Sequence, residues 1–293
     1  MDFAPLTLDS KDLFDKFLTP FPYKNCSSQF TNLYMWRKYQ QVAHAHTEDA
    51  LFLRKGGESP YYAAPHYKDF SKAKDAYEAL FHHMDTLGQK KILKDVERSQ
   101  LDDLEKLGYQ FSYILDRDQQ EYIHLVEDLQ SYPGKKFHKK RNHFNQFLRN
   151  YPYTIKYVEN CMDDCLALAK QWFDESDQSP ALYHELLGIE DLLLHWEAFS
   201  LKGIGVYVEG NLKGFTILEA INHEVLLNHV EKADKEVLGL YTFLVQRAME
   251  AFGDGLRYTN REQDMGIVGL RKSKESYMPV FLEEKFIVTF TET

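Results

Sequence analysis

The densest run of chemically capable side chains is Asn260-Arg261-Glu262-Gln263-Asp264, continued a few residues on by Arg271, Lys272 and Lys274. Arg261 offers a planar fork of donors for a carboxylate or a phosphate. Glu262 and Asp264 are carboxylates of the kind that relieve an attacking amine of its proton. Asn260, Lys272 and Lys274 add donors and positive charge for holding a substrate. Glu231, in His229-Val230-Glu231-Lys232, is a third candidate base at the end of a strand, and the two readings of it, catalytic or structural, are evenly matched. His229 beside it reads as a core histidine. Tyr277 has a phenol that can donate a proton or bind substrate, although buried packing is the stronger reading. The bland alternative for the whole run is a loop whose charges pair with one another.

A second concentration is electrostatic. The chain carries 35 Lys and Arg against 45 Asp and Glu, a net charge of -10, which argues against a general nucleic-acid coat. Yet no acidic residue falls between Asp128 and Glu159, where Lys135, Lys136, Lys139, Lys140, Arg141, Arg149 and Lys156 lie. The segment 135–149 reads as an amphipathic helix with Phe137, Phe144, Leu148 and Tyr151 as its apolar stripe. Lys136, Lys139, Lys140 and Arg141 are candidate donor- or phosphate-binding residues. Such a face suits an RNA backbone, an anionic lipid surface or the phosphates of a large donor. A solvated helix answered by acidic neighbours is the equal alternative.

The elements that must position these residues repeat. In the first half, helices over 10–18 and 27–39 precede strands near 41–46 and 51–54, then a helix over 71–87, a strand over 91–96, a short helix from Ser99 to Gly108 and a strand over 109–115. In the second half, strands over 204–208 and 214–220 are hinged at Gly210-Asn211. A strand over 225–230, a helix over 239–252, a strand over 256–260, a helix from 267 and a closing strand over 286–290 follow. Helices over 162–175 and 189–200 lie between the halves. Lys94-Asp95-Val96-Glu97 and Thr259-Asn260-Arg261-Glu262 then occupy equivalent strand ends, and the order of elements is the evidence for a repeat. The expectation is an α/β protein (α+β, with mixed sheets) of two domains built alike, 1–125 and 126–293, the second carrying the basic helix. The second half is expected to hold the site, since Asp95 and Glu97 stand nearly alone in the first.

This order resembles the Gcn5-related acyltransferase fold (GNAT) used twice in tandem. The strings Gly134-Lys135-Lys136-Phe137-His138-Lys139-Lys140-Arg141-Asn142 and Asn260-Arg261-Glu262-Gln263-Asp264-Met265-Gly266, with Gly269-Leu270-Arg271-Lys272-Ser273-Lys274-Glu275-Ser276-Tyr277, resemble an uncharacterised bacterial family grouped with the C-terminal domain of phosphatidylglycerol lysyltransferase. The resemblance implies transfer of an acyl or aminoacyl group onto an amine or hydroxyl acceptor, from acyl-coenzyme A or aminoacyl-tRNA. It also implies a small-molecule or lipid-headgroup acceptor, tRNA as a partner, and peripheral contact with a membrane. In GNAT enzymes the loop before the long helix cradles a pyrophosphate on backbone N–H groups. Gly239 matches its first glycine, while Glu236 stands where a basic or amide residue belongs and Tyr241 where a small one does. Phe281 takes the place of the tyrosine that protonates a departing thiolate. These departures keep a second class open, a non-catalytic binding protein for RNA or a nucleotide-like ligand.

Several classes fall away. Cys161 and Cys165 lack matching partners for zinc, and no metal site is expected. No dinucleotide fingerprint, P-loop or Gly-x-Ser-x-Gly elbow occurs. Three cysteines are too few for a disulfide scaffold, and no apolar run is long enough to span a bilayer. With no basic leader at the start, the reading is a soluble cytoplasmic protein of a reducing compartment.

Overall fold

A computed structural model describes residues 1–19 and 23–291. The chain forms two compact units, the first from Met1–Tyr23, Ser27–Gln120 and Glu284–Thr293, the second from Lys24–Cys26 and Glu121–Glu283. The first unit contains strands β1 (Ala4–Pro5), β2 (Ala43–His46), β3 (Ala50–Lys55), β4 (Tyr61–Ala63), β5 (His66–Tyr67), β6 (Ile92–Val96) and β7 (Phe111–Leu115), with helices α1 (Lys11–Leu18), α2 (Phe30–Trp36), α3 (Ala73–Thr86) and α4 (Arg98–Lys106). The second runs β8 (Glu121–Leu125), α5 (Val126–Ser131), α6 (His138–Asn150), β9 (Tyr153–Tyr157), α7 (Met162–Asp174), α8 (Pro180–Leu194), β10 (Leu201–Val208), β11 (Asn211–Ala220), β12 (Val225–Ala233), α9 (Leu240–Phe252), β13 (Tyr258–Gln263), α10 (Val268–Glu275) and β14 (Phe281–Glu283). The last strand, β15 (Phe286–Phe290), belongs to the first unit.

Each unit is built on one mixed sheet. The first has the order β1-β2-β3-β4-β6-β15-β7 with β5 also on β3, and the second β14-β8-β13-β12-β11-β10-β9. The structure therefore divides the chain differently from the expected break after residue 125. β8, whose residues fall inside the expected first domain although no strand was expected there, pairs with β13 and β14. β15, expected to close the second, pairs with β6 and β7. The apolar pattern of β15 shows in the sequence as a strand, but nothing local says which sheet it joins. Helix α8 also starts nine residues before the expected 189. Ser179 caps it by accepting from the Leu182 amide, and Pro180 opens the first turn where no N–H is needed.

The repeat is visible in detail. In each unit one parallel pairing sits among antiparallel ones, β4 with β6 and β12 with β13. Both second strands carry an acidic residue in the left-handed region, Asp95 at φ 54° and Glu262 at φ 57°. The first unit also holds more charge than its sequence promised. Lys55 pairs with Asp95 at 2.7 Å, Tyr61 donates to the same carboxylate at 2.8 Å, and Lys285 donates to the Ser27 hydroxyl. Burial opposes ionisation of Asp95, yet Lys55 and Lys285 override it and bring the carboxyl down to about 2.

In the second unit the parallel pairing is short. β12 and β13 are in register only over Val225↔Tyr258, Leu226↔Thr259 and Leu227↔Asn260. Beyond that point β12 continues to Ala233 and β13 to Gln263, so the two strand ends part. The irregular register of β13 against β8 between Asn260 and Gln263 marks the same place, with Glu262 in its left-handed conformation.

Helix α6 covers the start of α9. Phe137 and Phe147 are fully buried, with the Phe147 ring 4.3 Å from Phe243 and Phe144 stacked on Phe243 at 5.6 Å. The apolar stripe thus runs through Phe147, and Leu148, placed on it from spacing, is exposed. Gly239, at φ 85°, ends the loop before α9, and a Cβ there would lie 2.1 Å from the His143 carbonyl oxygen. We predict that Gly239→Ala costs roughly 2–5 kcal/mol, the strain of a left-handed alanine plus backbone overlap. Gly255→Ala, also left-handed but with nothing nearby, costs only about 1–2 kcal/mol. Urea-unfolding midpoints of the two variants check this, and equal midpoints would refute the close approach.

Candidate active site

Where β12 and β13 part, a charge pair bridges them. Arg261 on β13 donates from Nη2 to both carboxylate oxygens of Glu231 on β12, at 2.9 and 2.8 Å. Asn228 adds a donor to Glu231 at 3.0 Å. Arg261 is only 9% exposed, and its Nε and Nη1 make no hydrogen bond to an acceptor among the described residues. Its carbon lies 4.2 Å from the centroid of the Tyr277 ring.

The backbone beneath this pair is held by two polar knots. Asn260, fully buried, donates to the Lys24 carbonyl at 2.6 Å and to Glu121 at 2.5 Å, while its carbonyl oxygen accepts from the Glu262 amide at 2.7 Å. Glu121 also accepts from the Cys26 amide at 2.8 Å. These bonds fix the tight bend that gives Glu262 its positive φ. In the second knot Asp264 accepts from Tyr122 at 2.6 Å, from the Gly266 amide at 2.8 Å, and from Arg271 at 2.9 and 2.8 Å. Burial alone would raise the Asp264 carboxyl, but Arg271, Tyr122 and the amide hold it far below the usual carboxylate range. Such a group keeps its charge and anchors α10 to β13.

Glu262 stands in different company. His229, buried on β12, donates toward Glu219 at 3.0 Å and lies 3.7 Å from Glu262 through its other nitrogen, an ion-pair rather than a hydrogen-bond distance. Burial would lower the imidazole, and the two carboxylates more than offset it, holding it up at about 9. It is therefore a cation at neutral pH. Lys274 donates to the Gln263 carbonyl at 2.5 Å, and burial, with Arg261 nearby, brings its amine down to about 8. Lys140 reaches in from α6 to 3.2 Å over the Tyr277 ring, and burial with Arg261 pushes it down to about 7. Burial raises the Tyr277 phenol to about 12, so it keeps its proton. The arrangement brings the Glu262 carboxylate together with the Lys140 and Lys274 amines, both lowered toward neutral pH, around a buried guanidinium.

Comparison with known proteins places the chain. A family model described as Phosphatidylglycerol lysyltransferase, C-terminal matches residues 19–289. The chain belongs to that family. A conserved protein of unknown function from Bacteroides thetaiotaomicron superposes with a TM-score of 0.90 at 32% identity, over 99% of this chain and all of that one. The C-terminal domain of a putative lysylphosphatidylglycerol synthetase from Agrobacterium fabrum gives 0.67 at 13% identity, over 97% and 93%. A tandem GNAT protein from the clavulanic acid biosynthesis pathway gives 0.54 at 9%, over 100% and 99%. The tandem GNAT-like fold is thereby established, and the family membership supports an aminoacyl- or acyl-transferase type of activity.

Of the residues singled out in sequence, the structure gathers Glu231, Asn260, Arg261, Glu262, Lys274, Tyr277 and Lys140, with Asp264 behind them. Lys272 is exposed. The donor-binding candidates separate. Lys136 pairs with Asp128 at 2.8 Å, and Arg141 donates to the carbonyls of Tyr132 and Gly134, so both tie down the turn before α6. Lys139 projects into solvent. Gly239 packs against the α6 backbone instead of facing open space. Phe281 lies on β14, paired to β8, and not on a helix. No three His, Cys, Asp or Glu side chains among the described residues come together as a metal site.

His229 is buried as its reading as a core histidine implies, but it is charged, and its partner Glu219 is not among the residues singled out in sequence, although it carried a signal as the charged residue ending the apolar run Phe215-Thr216-Ile217-Leu218. A histidine held at about 9 contributes stability that is complete below its unfolded value near 6.5 and is lost as pH rises through 9. The destabilisation caused by His229→Gln is thus predicted to be largest below pH 6.5 and to shrink toward pH 9. Thermal midpoints of wild type and variant across that range check it, and a constant difference would mean that the imidazole is neutral.

Proposed function

We propose that the second unit transfers an aminoacyl group from aminoacyl-tRNA to an amine or hydroxyl of a small-molecule or lipid-headgroup acceptor. One observation carries the choice of donor. The helix N-terminus that would cradle a coenzyme A pyrophosphate in the GNAT pattern has the His143 carbonyl of α6 against Gly239, with the acidic Glu236 in the same loop. A carbonyl oxygen and a carboxylate repel an anion. The helix that fills this place and the turn leading into it expose Lys135, Lys139 and Arg149, suited to a phosphate backbone.

In this reading the acceptor's N–H or O–H attacks the ester carbonyl carbon of the donor. Its proton passes to the Glu262 carboxylate, kept in place by the protonated His229. The bond to the terminal ribose oxygen breaks, and that oxygen takes a proton from the Lys274 ammonium, whose value near 8 makes it a ready donor. Glu231 and Asp264 position groups, since their oxygens are engaged by Arg261 and Arg271.

The test supplies a pool of radiolabelled aminoacyl-tRNAs and follows label into lipid extracts and small soluble amines. Wild type is expected to transfer, and Glu262→Gln to lose about 100-fold or more in kcat with little change in Tm. Millimolar acetyl-coenzyme A is expected to leave Tm unchanged. A ligand at 100 times its Kd adds about 2.7 kcal/mol, so a rise of several degrees, with no tRNA-dependent product, would overturn the reading in favour of an acyl-coenzyme A enzyme. The Lys135→Ala, Lys139→Ala double variant is expected to raise KM for aminoacyl-tRNA several-fold, to leave kcat unchanged, and to flatten the salt dependence by about two counterions. An unchanged salt slope would remove α6 from donor binding.

A further inference from the structure

The second unit also holds a pair of thiols that the transfer chemistry does not use. The three cysteines are all reduced and buried. Cys26 donates toward the Glu121 carboxylate at 3.2 Å and the Gln263 side-chain oxygen at 3.4 Å, so its sulfur faces oxygen acceptors. Cys161 and Cys165 instead face each other, with their sulfurs 3.9 Å apart. They share one helical turn: Cys161 is the N-cap of α7, and its carbonyl accepts from the Cys165 amide at 3.0 Å. Four residues at about 1.5 Å of rise put the two Cα atoms roughly 6 Å apart, inside the range of about 4.4–6.8 Å that a disulfide bridges. Rotation of the side chains therefore closes the gap between the sulfurs without moving the helix. The neighbouring strand leaves room, since β10 carries Gly205, where a Cβ would come 3.2 Å from the Cys161 sulfur.

The two thiols are unequal in depth and in charge. Cys161 is 7% exposed and Cys165 is fully enclosed. Tyr207 lies beside Cys161, bonded to Asp164 and covered by Lys156 at 4.2 Å, and both of these charged side chains are exposed. The hydrogen bond from Cys165 draws the Cys161 thiol below its ordinary value, helped by Tyr207 and Lys156 and opposed by burial and Asp164. The same bond, with burial, raises Cys165. The amide dipoles at the start of a 13-residue helix also favour a thiolate at its N-cap. The outer sulfur is thus the nucleophile and the inner one stays a thiol, the division of roles that reversible thiol oxidation needs.

We propose that Cys161 and Cys165 are a modification site, a dithiol that hydroperoxides convert to a disulfide. The Cys161 thiolate attacks one peroxide oxygen, the O–O bond breaks, and the departing hydroxide takes up the proton that the thiol had released. Cys161 is left as a sulfenic acid. The Cys165 sulfur then attacks the Cys161 sulfur, the S–O bond breaks, and the hydroxyl leaves as water with the Cys165 proton. Two thiols have lost two electrons, and one hydrogen peroxide has become two waters. A thiol reductant reverses the change by exchange. The proposal is independent of the transferase reading, because neither sulfur takes part in the transfer step.

The test treats the reduced full chain with hydrogen peroxide near neutral pH, alkylates the remaining thiols under denaturing conditions, and reads peptide masses. The segment between Lys156 and Lys170 carries both thiols, so trypsin separates them from Cys26. The expected result is a loss of about 2 Da from that peptide, reversed by dithiothreitol, with Cys26 still alkylated. Met162 in the same peptide gains oxygen when oxidised, so a loss of mass belongs to the thiols. Cys165→Ser should stop at a sulfenic acid that dimedone traps on Cys161, and Cys161→Ser should slow oxidation of the segment at least about tenfold. A hydroxyl at the enclosed position 165 endangers that variant's fold, so the wild-type peptide and Cys161→Ser decide. The site is overturned if both thiols of the peptide stay alkylatable, if the folded chain oxidises no faster than the urea-unfolded one, or if the disulfide joins two chains. Oxidation of Cys161→Ser at the wild-type rate overturns it as well.

Discussion

A guanidinium and a carboxylate facing each other across two parting parallel strands set the terms for the second unit. Arg261 and Glu231 sit on neighbouring strands whose registered pairing has already ended at Leu227↔Asn260. Their ion pair closes the gap that the backbone no longer bridges. Breaking such a buried pair from one side typically costs about 3–5 kcal/mol, because the remaining charge is stranded. The surroundings accordingly hold the backbone in place around it. Asn260 ties the bend to Glu121 and to the Lys24 carbonyl, and Asp264 locks the following helix through Arg271. The left-handed Glu262 lies between these two fixed points, where local strain is commonly stored at functional sites.

Environment divides labour among acidic residues that look alike in sequence. Asp264 accepts from two side chains and an amide and stays ionised under all ordinary conditions. Glu231 spends both oxygens on Arg261. Glu262 has a protonated histidine at ion-pair distance, and that histidine is held charged by Glu219 from the next strand. The same logic separates the lysines. Lys136 is neutralised by Asp128, Lys139 is solvated, and Lys140, next in the chain, turns in beside a guanidinium that destabilises its proton.

Helix α6 combines two duties that its composition alone does not reconcile. Its aromatic side packs on α9 through Phe144 and Phe147, and this contact brings the His143 carbonyl onto Gly239. The positive residues left outside face solvent, while one reaches the polar cluster. A helix that covers a phosphate-cradle position is thus itself the most basic element of the unit. No helix among the described residues is long and apolar enough to cross a membrane.

The sequence by itself determined the main strands and helices of each half, their repeated order, the polar run from Asn260 to Lys274 and the acid-free segment around α6, since all of these are local patterns of period, charge and capping; β8, α5, β9 and β14 were not legible in it. It also located the strand end where the polar run converges, while the parallel pairing of that strand with β12 is a tertiary fact. Tertiary structure alone decided which partners each group meets. β8 and β15 change sheets because strand pairing joins residues far apart in the chain, and period 2 is silent about the neighbour. His229 and Glu219 become a charged pair only when β11 and β12 lie side by side. Lys139 and Lys140 diverge because successive helix positions point about 100° apart, and only the packing of α6 on α9 fixes which one faces Arg261. Gly239 resembled a phosphate-binding glycine in sequence, and the close approach of another helix gives it a steric reason of its own.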